Sequence, residues 1–150
     1  MEDFVESMTS VFSTDLPLEE KMCLFITREY ELLAKIPELP NFIINEMSRE
    51  ESLKIDHFFE KISQTGIFEE CIKAQAIGQM RTIDLVSVIL LIMSNCQYPV
   101  MAQKLMQGMH KLSDEAYIEL LKEHQKNVTE MLVNYLFPTQ SEGPTKNVKS

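Results

Sequence analysis

An all-α bundle of six to eight helices is the fold this sequence predicts, and three observations predict it. The most apolar run, Asp84 to Cys96 (D-L-V-S-V-I-L-L-I-M-S-N-C), has no polar face wide enough to meet water, so it reads as a central helix needing cover on all sides. Elsewhere the apolar residues recur at spacings of three and four, and no stretch alternates as a strand does. A composition of 150 residues, 45% hydrophobic, with four Gly and six Pro, suits a single domain over 1–138 with a core of ordinary size. The polar segment 139–150, containing Gly143 and Pro144, is expected to be a disordered tail.

Residues 2–12 carry Phe4, Val5, Met8, Val11 and Phe12 as an apolar stripe on a first short helix. Ser13, Thr14 and Asp15 offer caps, and Pro17 suits a first helical turn. The next helix runs from Leu18 to Ile36, with Leu18, Met22, Phe25, Ile26, Leu32, Leu33 and Ile36 on one face and Glu19, Glu20, Lys21 and Arg28 mostly elsewhere. Glu29 falls inside that face. A carboxylate there either reaches solvent from the stripe's edge or stands as a polar anchor before a cavity. Pro37 and Pro40 end this helix, and another begins at Asn41.

Residues 49–64 form a charged amphipathic helix with Leu53, Ile55, Phe58, Phe59 and Ile62 as its apolar set. Thr65-Gly66 breaks it. A helix over Ile67–Ile77 follows and stops at Gly78, a residue suited to a left-handed cap. Asp84 caps the central helix, and Pro99 kinks or restarts it before it continues through Val100, Met101, Leu105 and Met106 to Gly108. Ser113-Asp114-Glu115 starts the last helix, Asp114 to Phe137, which Pro138 ends.

A formal net charge of −9 with scattered basic residues argues against direct contact with nucleic acid. The apolar run ends too soon for a membrane span, and the N-terminus lacks the basic and apolar regions of an export signal, so the expected location is cytoplasmic. Cys23, Cys71 and Cys96 are widely spaced, have no C-x-x-C pairing, and show no ligand spacing to His57, His110 or His124. Buried free thiols are therefore expected, with no metal and no cofactor. The familiar nucleophile, zinc, phosphate-loop and dinucleotide patterns are absent, and an enzyme is not expected.

The segment Pro37-Glu38-Leu39-Pro40-Asn41-Phe42-Ile43-Ile44-Asn45-Glu46 resembles the P-x-L-P-x-F-I-x-x-E segment of TetR/AcrR-family transcriptional regulators. Gly78 to Asp84 is similar to that family's G-x-[IL]-R-x-x-D-P turn, with Leu85 where proline is common, and Ser94 to Pro99 is similar to the aromatic-proline break of its penultimate helix. The likeness spans roughly Phe4 to Pro138 and implies the effector-binding and dimerisation domain of such a repressor. DNA would be bound only through a helix-turn-helix domain preceding this region, and the chain would begin in the connecting helix. A small hydrophobic effector entering the bundle would swing that helix and spoil the operator spacing of the two DNA-reading heads.

The resemblance further implies a homodimer whose last two helices form a four-helix bundle across a twofold axis, for which Tyr117, Leu121, His124, Val128, Met131 and Tyr135 are the candidate contacts. His124 reads either as a solvent-tipped edge residue or as a polar contact across the dimer. The effector site is placed between the first helix, the Leu18–Ile36 helix, the Ile67–Ile77 helix and the central run. Met8, Phe12, Met22, Phe25, Phe68 and Met93 would be its walls and Glu29 its anchor. The competing class is a stand-alone helical module that binds a partner protein through an apolar groove. Ten methionines suit either, and at helical spacing they also suit plain core.

Overall fold

The computed structural model describes residues 2–49 and 53–138, and these form an all-α bundle without strands. Eight α-helices are present among the described residues: α1 (Glu2–Thr9), α2 (Leu18–Lys35), α3 (Leu39–Met47), α4 (Leu53–Gln64), α5 (Ile67–Ala76), α6 (Leu85–Met101), α7 (Gln103–His110) and α8 (Asp114–Leu136). A 3-10 turn, Ser10–Ser13, extends α1. The tail expected from Thr139 to Ser150 lies outside the described residues, as do the side chains of Phe4, Leu53 and Ile55.

The punctuation residues act where their chemistry places them. Asp84 caps α6 by accepting from the Val86 amide at 2.8 Å, and Ser113 caps α8 by accepting from the Ala116 amide at 3.1 Å. Gly66 and Gly78 take φ of 77° and 78°, a left-handed conformation that disfavours any side chain. Four boundaries differ from the sequence expectation. The helix α3 starts at Leu39 rather than Asn41, with Pro40 accepted in its first turn where no amide bond is lost, and α6 runs through Pro99 and bends only at Ala102. Thr14 does not cap α2; its hydroxyl bonds back to the Val11 carbonyl at 2.8 Å, and Pro17 occupies the cap position without a side-chain bond. The helix α7 runs past Gly108 to His110, and Lys111 supplies the left-handed cap at φ 52°.

Three helices, α2, α6 and α8, pack on one another and make the centre. From α2 come Leu18, Met22, Phe25, Ile26, Tyr30 and Leu33; from α6, Val88, Ile92 and Cys96; from α8, Val128, Leu132 and Leu136. Each such side chain contributes roughly 1.5–3 kcal/mol when fully buried. The layer of α1, α4 and α5 closes the far side of α2, and α3 lies against α6.

The chain from Arg81 anchors the end of α8. Its backbone amide bonds the Leu136 carbonyl at 2.7 Å, its Nε bonds the Tyr135 carbonyl at 2.7 Å, and its guanidinium stands 4.2 Å from the centre of the Tyr135 ring. Those carbonyls have no helical partner of their own, and a cation complements the negative end of the helix.

The central helix is not covered on all sides. Val86 and Leu90 are 64% and 62% exposed, because α2 and α8 both lie on the opposite side of α6.

Candidate functional site

The predicted ligand walls meet, but as a packed interior. Met8, Phe12, Met22 and Phe25 are all buried, and the Phe12 and Phe25 rings stack at 4.9 Å between centroids. Stacking adds about 0.5–1.5 kcal/mol to the burial of the two rings. Phe68 and Met93 are half-buried, and Phe68 packs against the same cluster. Beside this layer Lys21, whose charge suggested a solvated position, is 6% exposed. Its ammonium donates to the Glu70 carboxylate at 2.8 Å and to the Phe12 carbonyl at 3.3 Å, tying the 3-10 turn, α2 and α5 together.

Glu29 points toward α6 and is 4% exposed, so it is neither a solvent-tipped edge residue nor the lip of an open cavity. Its Oε1 accepts from the Gln97 side-chain amide at 3.4 Å. Burial pushes its carboxyl above the usual range, and the bond from Gln97 opposes that only in part. The next residue, Tyr30, reaches the same helix: its hydroxyl donates to the Asn95 carbonyl at 3.0 Å, and its ring meets that of His124 edge-on at 6.5 Å. Glu29, Tyr30, Asn95, Gln97 and His124 thus make a polar seam where α2 meets α6 and α8.

Two clefts lie away from this seam. One of about 270 Å³, between α1 and α2, is lined by Ser7, Met8, Arg28, Glu31, Leu32 and Lys35. The other, of about 420 Å³, opens where the start of α3 faces the α6–α7 bend and the start of α8, and Pro37, Val100, Met101, Lys104 and Asp114 are among its lining. Of the predicted wall residues, only Met8 reaches either cleft.

The predicted dimer contacts divide. Tyr117 and Val128 are 1% and 2% exposed and belong to the protomer's own interior, which leaves them no surface to offer a second chain. Leu121 and His124 are half-buried, while Met131 and Tyr135 are exposed. The stripe of α8 that carries Tyr117, Val128, Leu132 and Leu136 is buried in its own chain, while Ile118, Leu120, Met131 and Tyr135 remain exposed along the helix. On α6, Val86, Leu90, Tyr98 and Met101 are exposed, and beyond the bend Leu105 and Met109 extend the patch along α7. No charged residue occurs from Leu85 to Gln103.

The three cysteines are free; Cys71 and Cys96 are buried as expected, and Cys23 is half-buried. Cys71 is pushed up to about 11 by burial and then by Glu70, with Lys21 opposing. Burial also raises Cys96, as does Glu29, and Cys23 is raised by burial and by Glu19 and Glu20. Among the described residues, no three His, Cys, Asp or Glu side chains come together as metal ligands, and no single helix is long and apolar enough to cross a membrane. Compared with protein-family models, curated proteins and solved structures, the chain matches none.

Proposed function

We propose that this chain is the effector-binding and dimerisation domain of a TetR-type transcriptional repressor, a cytoplasmic homodimer whose DNA contacts come from a helix-turn-helix outside this sequence. The observation that carries the reading is the exposed apolar face of α6, uncharged from Leu85 to Gln103, which continues onto α7 beside the exposed Lys104. Exposed Val86, Leu90, Tyr98, Met101, Leu105 and Met109 form a patch of the kind that marks an interaction site. A second copy is its best occupant. Two chains of net charge −9 repel over most of their surface, but the α6 part of this face carries no charge to oppose a twofold meeting, and Lys104 on the α7 part adds none of the shared negative sign.

Glu29 supports effector binding, with the ligand entering along the α2–α6 seam and displacing Gln97. A buried carboxyl facing only a neutral amide suits an effector that carries a hydrogen-bond donor or a cation on a hydrophobic body. Sedimentation equilibrium tests the dimer, and a monomer at tens of micromolar refutes it. A thermal-shift screen of cationic and neutral hydrophobes, run on wild type and Glu29→Gln, tests the site. A ligand at 100 times its dissociation constant adds roughly 2.7 kcal/mol of stability.

The second reading, a stand-alone protein-interaction module, is favoured by one observation: the interior at Met8, Phe12, Met22 and Phe25 is filled by its own side chains. A screen without hits together with a monomeric wild type selects it.

A further inference from the structure

Pro99 lies in the last turn of α6 and has no N–H, so the carbonyl of Asn95 loses the donor that a continuous helix supplies from four residues ahead. Tyr30 of α2, 7% exposed, supplies the missing donor with its hydroxyl at 3.0 Å. A second acceptor is orphaned at the same place. In an unbroken helix the Pro99 carbonyl would take the Gln103 amide, but Gln103 begins α7 after a bend of 57°. The hydroxyl of Tyr117, from α8 and 1% exposed, donates to that carbonyl at 2.5 Å. Two buried tyrosines from two other helices therefore fill two of the acceptors that the proline and the bend leave open. The bend lies at the surface, with Met101 and Lys104 exposed beside it, but the donors that serve these two carbonyls come from buried side chains of the interior.

The break also divides the apolar face. The bend itself falls at Ala102, three residues after Pro99: Val86, Leu90 and Met101 precede it, and Leu105 and Met109 follow it. We propose that the Pro99 break is a hinge clasped by Tyr30 and Tyr117, and that the clasp sets the angle between the two halves of the face through which a second copy pairs. The inference rests on the homodimer reading of that face. It adds a route for regulation, because Glu29 and Tyr30 are consecutive on α2 and both bond α6 within one turn of the proline, at Gln97 and Asn95. A ligand that pushes Gln97 off Glu29 must also shift Tyr30. The Asn95 carbonyl is then unpaired, and the bend opens until water reaches it.

The test uses the full chain and substitutions that each remove a single oxygen, Tyr117→Phe and Tyr30→Phe. Amide exchange is read at residues 102–106, and the dimer dissociation constant is read by sedimentation equilibrium. Tyr117→Phe is expected to speed exchange there by about five- to thirtyfold and to weaken the dimer about tenfold while the protomer stays folded. A cycle with Pro99→Ala identifies the Tyr30 bond. In wild type, Tyr30→Phe should raise the unfolding constant several-fold; with alanine at 99, whose N–H can serve Asn95, the same change should have less than about a twofold effect. If Pro99→Ala does not fold, exchange at 102–106 in Tyr30→Phe decides instead, with faster exchange expected. A dimeric wild type whose dissociation constant and exchange are unmoved by both tyrosine changes overturns the hinge and leaves the homodimer reading intact. A monomeric wild type overturns the pairing role by removing the reading it rests on, whatever the exchange shows.

Discussion

If the proposed homodimer pairs through α6, replacing Leu90 with aspartate should dissociate it without unfolding the protomer. Leu90 is 62% exposed on the open side of α6, and complete burial of a leucine contributes roughly 1.5–3 kcal/mol. Its exposed part therefore contributes about 1–2 kcal/mol per copy on association. Twofold symmetry counts it twice, for about 2–4 kcal/mol, or a dissociation constant about 30- to 1,000-fold higher. Desolvating two new carboxylates adds to this figure, so it is a lower bound. Sedimentation equilibrium over graded concentrations reads the association, and a circular-dichroism melt of the variant reads the fold. A surface substitution should leave protomer stability within about 0.5 kcal/mol. Equal molecular mass for wild type and variant at every concentration would refute the placement of the interface. Loss of helicity in Leu90→Asp would refute the exposure on which the estimate stands.

Four further outcomes follow from particular contacts. Glu29 has a raised carboxyl in the folded state, so its contribution to stability is fully present below the ordinary value of 4.5 and is lost as pH rises through the folded value. Chemical denaturation of Glu29→Gln against wild type should show the variant gaining relative stability as pH climbs above 4.5, and a pH-independent difference would count against a sealed carboxyl. Phe12→Ala removes a ring stacked on Phe25 and should cost about 3–5 kcal/mol in urea unfolding, whereas a ligand-lined void at that place would make the cost much smaller. Arg81→Ala keeps the backbone bond to Leu136 but loses the bond to Tyr135 and the contact with its ring. A loss of about 1 kcal/mol is expected, read as a fall of a few degrees in melting temperature. In a gel shift this chain alone should not retard a duplex operator, as its net charge of −9 implies, and sequence-specific nanomolar binding would overturn that.

Where one residue's local chemistry decides the structure, the sequence is readable. Asp84 and Ser113 start α6 and α8 because a side-chain oxygen reaches an amide two or three residues on, and Gly66 and Gly78 end helices because only they take φ near 77° without strain. The direction in which an apolar face points is a different matter. Tyr117, Leu121, His124 and Val128 repeat correctly for one face of α8, yet periodicity gives that face no address, and α2 and α6 of the same chain claim it. Lys21 shows the same limit: it reads as a solvated charge until the fold brings Glu70, 49 residues away, to within 2.8 Å.

Glu29 and Pro99 show how far a local anomaly can be carried. Each is visible in the sequence as a residue at odds with its helix, a carboxylate on an apolar face and a proline inside an apolar run. Each anomaly creates a need that is predictable: the carboxylate must be neutralised or bonded, and the carbonyl four residues before the proline must find another donor. What the sequence withholds is who meets the need. For Pro99 the answer is Tyr30 and Tyr117, from helices 65 and 18 residues distant along the chain from their acceptors. For Glu29 it is Gln97, two residues beyond Asn95 on α6 and on the same seam. Because a neutral amide cannot supply the countercharge a buried carboxylate requires, Glu29 is the half of the pair that a donor-bearing ligand could satisfy better than the protein does. The anomaly satisfied worst therefore sits beside the one satisfied best, and a disturbance of the first has the clasped proline as its nearest neighbour.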